Sequence, residues 1–600
     1  MDRRNTGKNN INAYLSAGEG LGRRNEAETG KSGRWLWTAV FVLLLGIQVL
    51  LMVYYGGKKN GFHEDEYYSY YSTNRTAGLY EPDREWVDRD SFRNEFVVLP
   101  GERFRYGLVA TVQSWDVHPP FFYFILHTAC SLFPGVFSKW LGIGVNLAAF
   151  ALNFGLLSWL AYMVTGRDKW LTLVIVAVHG FNPVIISGVM FIRMYEWLTV
   201  FVLLCACLHV RAVVRKNTDV KSFLLPLMAV NYLGFLTQYY YIIFLFFMAA
   251  GFCLWIFLPC MEKRKEEGVV LRKKRLRDSI CTCMKYGCAC GVSLALAVIS
   301  YPASLSHIFR GYRGTGAVSE FLDAANTGER LGFFAGLVNE YLFDGFFRVW
   351  MLLILLMGGA VFAKYRMRRA DSVHSSGEGI PARMERKAAG RERETAVFFL
   401  LLFAVCGYFF TVSKTALLLY ETSNRYQLPV YGIMMLLVIT AIHGLWKELA
   451  GFCFGENGRR LRRLSAAGGA ALLVLFLIGD VHELVSGKMI FLYEEEKEDV
   501  AYAREHAKTP VVVLYNDAAP YHVWWRSQEL MQYDRLYFVS EGNKEQITDE
   551  TICGSERVIV YAADYDTQEE SLAMILGSNP GLTEYRLVSR KSLWSVYEFD

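Results

Sequence analysis

The sequence predicts a polytopic α-helical membrane protein that ends in a small α/β domain. Hydrophobic residues make up 53% of the 600 and charged residues only 20%, with a mean hydropathy of +0.21. A soluble chain of this length would divide into domains with charged surfaces. The apolar residues are gathered into blocks, many long enough to cross the ~30 Å hydrocarbon core of a bilayer. Basic clusters lie between several blocks, and only the C-terminal stretch 485–600 turns polar with short β-type runs. This composition excludes a wholly soluble enzyme, a disordered chain and a secreted disulfide scaffold.

Residues 1–34 are polar and basic and read as a cytoplasmic tail. The run 35–55 follows with no small-residue cleavage site, so it reads as an uncleaved signal anchor that places residue 56 outside. Further spans are expected at 141–163, 171–188, 192–210, 222–236, 238–259, 280–302, 347–363, 396–412, 428–446 and 466–482. The basic loops 211–221, 263–277, 364–393 and 459–463 belong inside by the positive-inside rule, which explains them more simply than nucleic-acid binding. With 164–170 also inside, residues 134–140 must lie outside, so the apolar stretch 121–133 cannot cross. It is also too short to span and reads as an interfacial helix. The total is about eleven transmembrane helices, with the N-terminus inside and the C-terminus outside.

The domains are then the tail 1–34, a transmembrane catalytic domain 35–484 with its first outer loop at 56–140, and an extracytoplasmic α/β domain 485–600. In that last domain, strands are expected at 510–515, 535–540 and 557–562, closing with a hairpin from 585 to 599. No Gly-rich phosphate fingerprint follows its first strand.

The twelve cysteines fall mostly within apolar runs. The spacing of Cys281, Cys283, Cys288 and Cys290 departs from the C-x2-C of zinc sites, and these thiols read as small apolar residues of a span. Asn74-Arg75-Thr76 matches a glycosylation sequon, a short pattern frequent by chance.

Chemistry concentrates at the outer face. His63-Glu64-Asp65-Glu66 puts three consecutive acids just beyond the first span. One carboxylate there suits a general base toward a hydroxyl, with a neighbour to orient the substrate; a solvated acidic loop is the plainer reading. Asp116-Val117-His118-Pro119-Pro120 opens the interfacial helix. Arg193-Met194-Tyr195 and Arg425-Tyr426-Gln427-Leu428-Pro429 stand at outer ends of spans, where an arginine is costly unless paired and its fork matches phosphate oxygens. Each arginine alone is a candidate for snorkelling to the headgroups. Together, on the side of the acids, they make a phosphate site facing a base. The 301–316 loop carries His307, Arg310 and Arg313 and reads either as a cover for substrate or as a plain linker. Gln238 to Tyr241 is assigned to the opposite face and read as packing or an aromatic belt.

An Asp-Glu pair after the first span, His-Pro-Pro before an apolar helix, Arg-x-Tyr at a later span and Arg-Tyr-x-x-Pro near the end occur here in that order. Over about residues 35–450 the chain resembles the GT-C glycosyltransferases of family 39, the protein O-mannosyltransferases and their bacterial relatives, which also resemble the aminoarabinose–lipid A transferases. The resemblance implies a GT-C fold and Asp65 as catalytic base, with Glu66 completing the pair. His118, Arg193, Tyr195, Arg425 and Tyr426 are then the candidates for holding the donor phosphate and substrate. It further implies an inverting transfer of a hexosyl or pentosyl group from a polyprenyl-phosphate sugar to a hydroxyl of a protein, lipid or glycan acceptor at the outer face of the membrane. The absence of organelle signals, the compact loops and the small outer domain point to a bacterial plasma membrane.

No cofactor is certain on this reading, and a divalent metal is possible but not required. Two departures stand out: Val189 to Ile192 replace the polar pair that relatives often carry before Arg-x-Tyr, and Thr237-Gln238-Tyr239 lacks a histidine often present there. The tail also lacks the sugar-binding repeats of eukaryotic mannosyltransferases. The alternatives are a lipid or solute transporter (a flippase), which calls for broken helices in paired halves, and a receptor or scaffold acting through the tail.

Overall fold

The computed structural model describes residues 35–74, 82–261, 269–372, 382–454, 458–547, 549–564, 568–591 and 593–600. The tail 1–34, parts of two basic loops, and Arg75 and Thr76 of the sequon lie outside the described residues. Asn74 itself is buried and donates to the Phe96 carbonyl at 2.8 Å.

The first span is α1 (Trp35–Lys58). The loop after it holds α2 (Glu64–Asn74), strand β1 (Glu85–Asp88), α3 (Arg89–Asn94), α4 (Tyr106–Trp115) and the short apolar α5 (Phe121–Leu132). At 12 residues α5 cannot cross, as parity requires. The bundle continues with α6 (Lys139–Val164), α7 (Lys169–Phe181), α8 (Pro183–Met190), α9 (Tyr195–Arg215), α10 (Leu225–Thr237), α11 (Tyr241–Met261) and α12 (Val269–Ser300). After α13 (Ala303–Phe309), α14 (Tyr312–Leu322) and α15 (Thr327–Leu337) come α16 (Phe347–Ser372), α17 (Ala382–Thr415), α18 (Leu428–Phe454) and α19 (Gly458–Val485).

Among the described residues ten helices are long and apolar enough to cross a membrane, eleven if α7 and α8 form one broken span. All eleven expected spans have a counterpart here, and the protein is a multi-pass membrane protein. The pair α7–α8 bends by 55°. Pro183 removes a backbone donor at the break, and the Asn182 side chain caps α8 by accepting from Val184 N at 3.2 Å. Of the ten single helices, the most enclosed are α9 and α18 and the least are α1 and α16.

The expected strands all form. With α20 (Glu496–Glu505) ahead of them, β2 (Val511–Tyr515), β3 (Arg535–Ser540) and β4 (Val558–Ala563) run parallel, and β5 (Tyr585–Lys591) and β6 (Trp594–Phe599) make the closing hairpin. The sheet order is β1-β3-β2-β4-β6-β5. Its first strand comes from the loop after α1 and pairs antiparallel with β3, Trp86 opposite Tyr537. The tail is therefore completed by a strand more than 400 residues away in sequence, and Arg89 to Asp534 at 2.7 Å and Ser540 N to Asp83 at 2.9 Å secure the join. The four clustered cysteines lie along α12, where two are exposed, and the described cysteines are free.

Gln238 to Tyr241 correct one expectation. Two crossings, α9 and α10, separate them from Arg193, and an even number returns the chain to the same face. The Tyr240 ring accordingly lies 5.9 Å from that of Tyr426.

Candidate active site

The site begins with the cap of α2. His63 precedes the helix, and its Nδ1 accepts from Asp65 N at 3.1 Å. Three residues on, the Glu66 carboxylate reaches back to His63 N at 2.7 Å. This is a capping box with histidine in the cap position, and the acids of the first turn suit the positive end of the helix dipole. It turns Asp65 and Glu66 apart. Expected to act beside Asp65, Glu66 is instead fully buried, with Lys59 Nζ at 2.9 Å and Ile192 N at 2.8 Å on its oxygens. Burial pushes its carboxyl up, and Lys59 and the backbone donors pull it back. Glu66 thereby ties α2 to the break between α8 and α9. Gly142 lets α6 approach the same break, because a Cβ there would lie 2.2 Å from Ile192 Cγ2. Asn146 braces it from α6, donating to the Val189 and Phe191 carbonyls at 3.1 and 2.7 Å.

Arg193 is presented from that break. Its Nη1 lies 3.1 Å from each of the Asp65 carbonyl, Ser69 Oγ and the Tyr123 hydroxyl. Its Nη2 donates to His118 Nε2 at 3.2 Å and stands 3.8 Å from Asp65 Oδ1. Arg425 comes from the turn ahead of α18, with Nη2 3.1 Å from Asp65 Oδ2. Its guanidinium lies over the rings of Phe191 and Tyr426, at 5.4 and 5.1 Å.

One carboxylate thus has an arginine on each oxygen. Burial alone would raise the Asp65 carboxyl, but Arg193 and Arg425 outweigh it and hold the group far below the ordinary carboxylate range. Arg425 Nε, Arg425 Nη1 and Arg193 Nε are buried donors without a partner. Buried donors are normally satisfied, so these mark where further acceptor oxygens fit.

His118 accepts from Arg193, so its proton sits on Nδ1, which donates to Asp116 Oδ2 at 2.7 Å. Burial lowers His118 to about 4. Burial would raise Asp116, but His118 and Arg193 bring it to about 2. Tyr195 and Tyr426 meet edge to face at 6.0 Å, and Phe191 stacks on Phe491 at 4.2 Å, giving the charged layer an aromatic floor. All seven candidates lie in this region: five around Asp65 and the aromatic floor, His118 against Arg193, and Glu66 behind.

No family model and no curated protein matches the chain. Among solved structures it is similar to ArnT from Cupriavidus metallidurans bound to undecaprenyl phosphate, at a TM-score of 0.48 and 11% identity over 94% of this chain and 98% of that one. It is also similar to the apo state of that protein, at 0.43 and 10% over the same shares.

The second outer region contributes as well. Arg313, on α14, is close enough to help lower both Asp65 and Asp116. His307 is a tie rather than a site residue, accepting from the Tyr239 hydroxyl at 2.9 Å and donating to the Ser114 carbonyl at 3.2 Å, and Arg310 is exposed. Tyr123, Ser69, Lys59 and Phe491 were not singled out in the sequence. The first three are ordinary residues beside the motifs, and Phe491 arrives from beyond the last span. Among the described residues no group of three or more His, Cys, Asp or Glu side chains is arranged to hold a metal ion.

Proposed function

We propose that the protein is an inverting glycosyltransferase that moves a sugar from a polyprenyl-phosphate donor to an acceptor hydroxyl at the outer face of the membrane. The observation that carries this reading is the doubly braced Asp65 beside arginines that keep three buried donors unused. The acceptor oxygen attacks the anomeric carbon, its proton passes to Asp65, and the bond from that carbon to the phosphate oxygen breaks on the opposite side. One displacement inverts the centre and needs no covalent partner. The leaving group is a lipid phosphate monoester, whose growing charge is met by Arg193 and Arg425.

The two tasks are linked. Alone, Asp65 is too strongly held by the arginines to be an effective base. A bound phosphate takes a share of both guanidinium groups and returns basicity to Asp65 when substrate is present. Glu66 acts in this scheme as a positioning residue through Ile192, and His118 orients Arg193. Tyr195 and Tyr426 floor the sugar site. The transporter alternative calls for broken helices in two corresponding places, and among the described residues there is one bent pair.

The test is transfer of labelled sugar from a panel of polyprenyl-phosphate donors, in membranes holding the wild type or Asp65→Asn. Transfer by the wild type that the variant lacks supports the reading. Equal transfer by both, or none by the wild type with donors and acceptors intact, overturns it.

A further inference from the structure

The two arginines hold Asp65 unequally. Arg425 Nη2 stands 3.1 Å from Oδ2, whereas Arg193 Nη2 stands 3.8 Å from Oδ1, outside hydrogen-bond range. Arg193 Nη1 is fixed at 3.1 Å by the Asp65 carbonyl, Ser69 Oγ and the Tyr123 hydroxyl. Nη2 has two acceptors beside it and takes His118 Nε2 at 3.2 Å. A neutral ring thus holds a guanidinium off a carboxylate, although a charge-assisted bond between the two is the stronger contact.

This arrangement exists in one tautomer only. Nε2 can accept because the ring proton is on Nδ1, and Nδ1 donates to Asp116 Oδ2 at 2.7 Å. An ionised carboxylate can only accept, so it selects that form of the ring. Asp116 and His118 are two residues apart in the link between α4 and α5, and both side chains are almost enclosed. Burial also keeps His118 neutral at neutral pH, at about 4. In the other tautomer Nε2–H would face Nη2–H, two buried donors with no acceptor between them. Nη2 would then turn to Asp65 Oδ1.

We infer that Asp116 is a positioning residue: by fixing the His118 tautomer it keeps Arg193 from closing on Asp65, so that the guanidinium stays available to a phosphate and the carboxylate to a proton. The inference rests on the transferase reading for the identity of the anion. Asp116 also acts on Arg193 and Arg313 as a charge. Loss of that charge alone would leave the layer more positive and bind a phosphate more tightly. Loss of the tautomer weakens binding, so the sign of the effect separates the two.

The test is titration of the full chain in lipid nanodiscs with polyprenyl phosphate, beside nitrogen NMR of isotope-labelled histidine. The His118 signal is assigned by its loss in His118→Gln. The wild type should carry the proton on Nδ1. Asp116→Asn and Asp116→Ala should move it to Nε2 and weaken binding roughly 10- to 100-fold, the loss of one charge-assisted hydrogen bond. In an Asp65→Asn background Arg193 has no carboxylate to close on, and neither change should weaken binding. His118→Gln offers a carbonyl acceptor with no tautomer to set, so adding Asp116→Asn to it should cost less than about 2-fold.

A proton that stays on Nδ1 in both Asp116 variants overturns the inference, as does tighter binding by both. Equal weakening with and without the Asp65 carboxylate also overturns it and assigns Asp116 to structure. If one variant unfolds, as read by its thermal midpoint, the other variant and the His118→Gln pair decide. Absence of binding by the wild type sinks the transferase reading and the phosphate half of the inference with it, while the tautomer half stands or falls on the NMR.

Discussion

Arg425 separates the two tasks assigned to the arginines. Its Nη2 is 3.1 Å from Asp65 Oδ2, with both side chains almost enclosed. At an effective dielectric of about 20 this contact is worth about 5 kcal/mol of Coulomb attraction, and the 3.8 Å contact of Arg193 about 4 kcal/mol. Arg425→Gln therefore has two consequences. It frees Asp65 to rise toward ordinary carboxylate behaviour, and it removes the donor with two unused buried N–H groups from the leaving phosphate.

The first effect reverses as pH rises, because a carboxyl that has become easier to protonate is simply deprotonated again. The second effect does not reverse. Losing one electrostatic stabiliser of a leaving group costs roughly 100- to 1000-fold in kcat, about 3–4 kcal/mol. The assay is initial-rate sugar transfer from a polyprenyl-phosphate donor in nanodiscs, with kcat and donor KM followed from about pH 6 to about pH 9. The expected result is a large loss of kcat that persists across the range, with Arg425→Lys intermediate because it keeps the charge but not the fork. Full recovery of the Arg425→Gln rate at about pH 9 would refute a role at the phosphate and leave only the bracing of Asp65.

Three further outcomes are expected. Asp65→Asn lowers transfer by about 100- to 10,000-fold yet binds the lipid phosphate more tightly than wild type, because both arginines lose their competing anion; titration with polyprenyl phosphate checks the second half. Glu66→Gln leaves the buried Lys59 ammonium unpaired and destabilises the protein by about 3–5 kcal/mol, whereas Lys59→Met with Glu66→Gln recovers much of that loss in thermal unfolding. His118 titrates near 4 when folded, below the ordinary 6.5. The unfolded chain therefore takes up the proton first, so stability is full above about pH 6.5 and falls toward pH 4 by up to about 3 kcal/mol. His118→Asn should flatten the thermal midpoint across that window.

What the sequence disclosed and what it hid divide along a physical line. Spans depend on local hydropathy and length, so all eleven were legible, and parity alone excluded 121–133 as a crossing. The strands of the tail were legible for the same reason, since each is a short run carrying β-branched or aromatic residues. Long-range pairing is different. Nothing local in Glu85–Asp88 says that it will flank β3, since four residues carry little periodicity and the partner lies in the tail. Within the site, the residue types were readable but their division of labour was not. Adjacent Asp65 and Glu66 look equivalent in sequence, yet on a helix they point about 100° apart, and the capping geometry commits Glu66 to the backbone of its own first turn. A sequence read for that pattern, His63 followed three residues later by Glu66, would have placed the Glu66 carboxylate at the helix cap and turned it away from Asp65. The contribution of the α/β domain follows from the same logic. Because β1 binds the first outer loop into the tail's sheet and Trp524 binds α2 to the tail's surface, the domain cannot leave without exposing one edge of the sheet and the flank of the helix that carries Asp65. Held so firmly on the flank of α2, the domain fixes the helix that presents Asp65 to its two arginines.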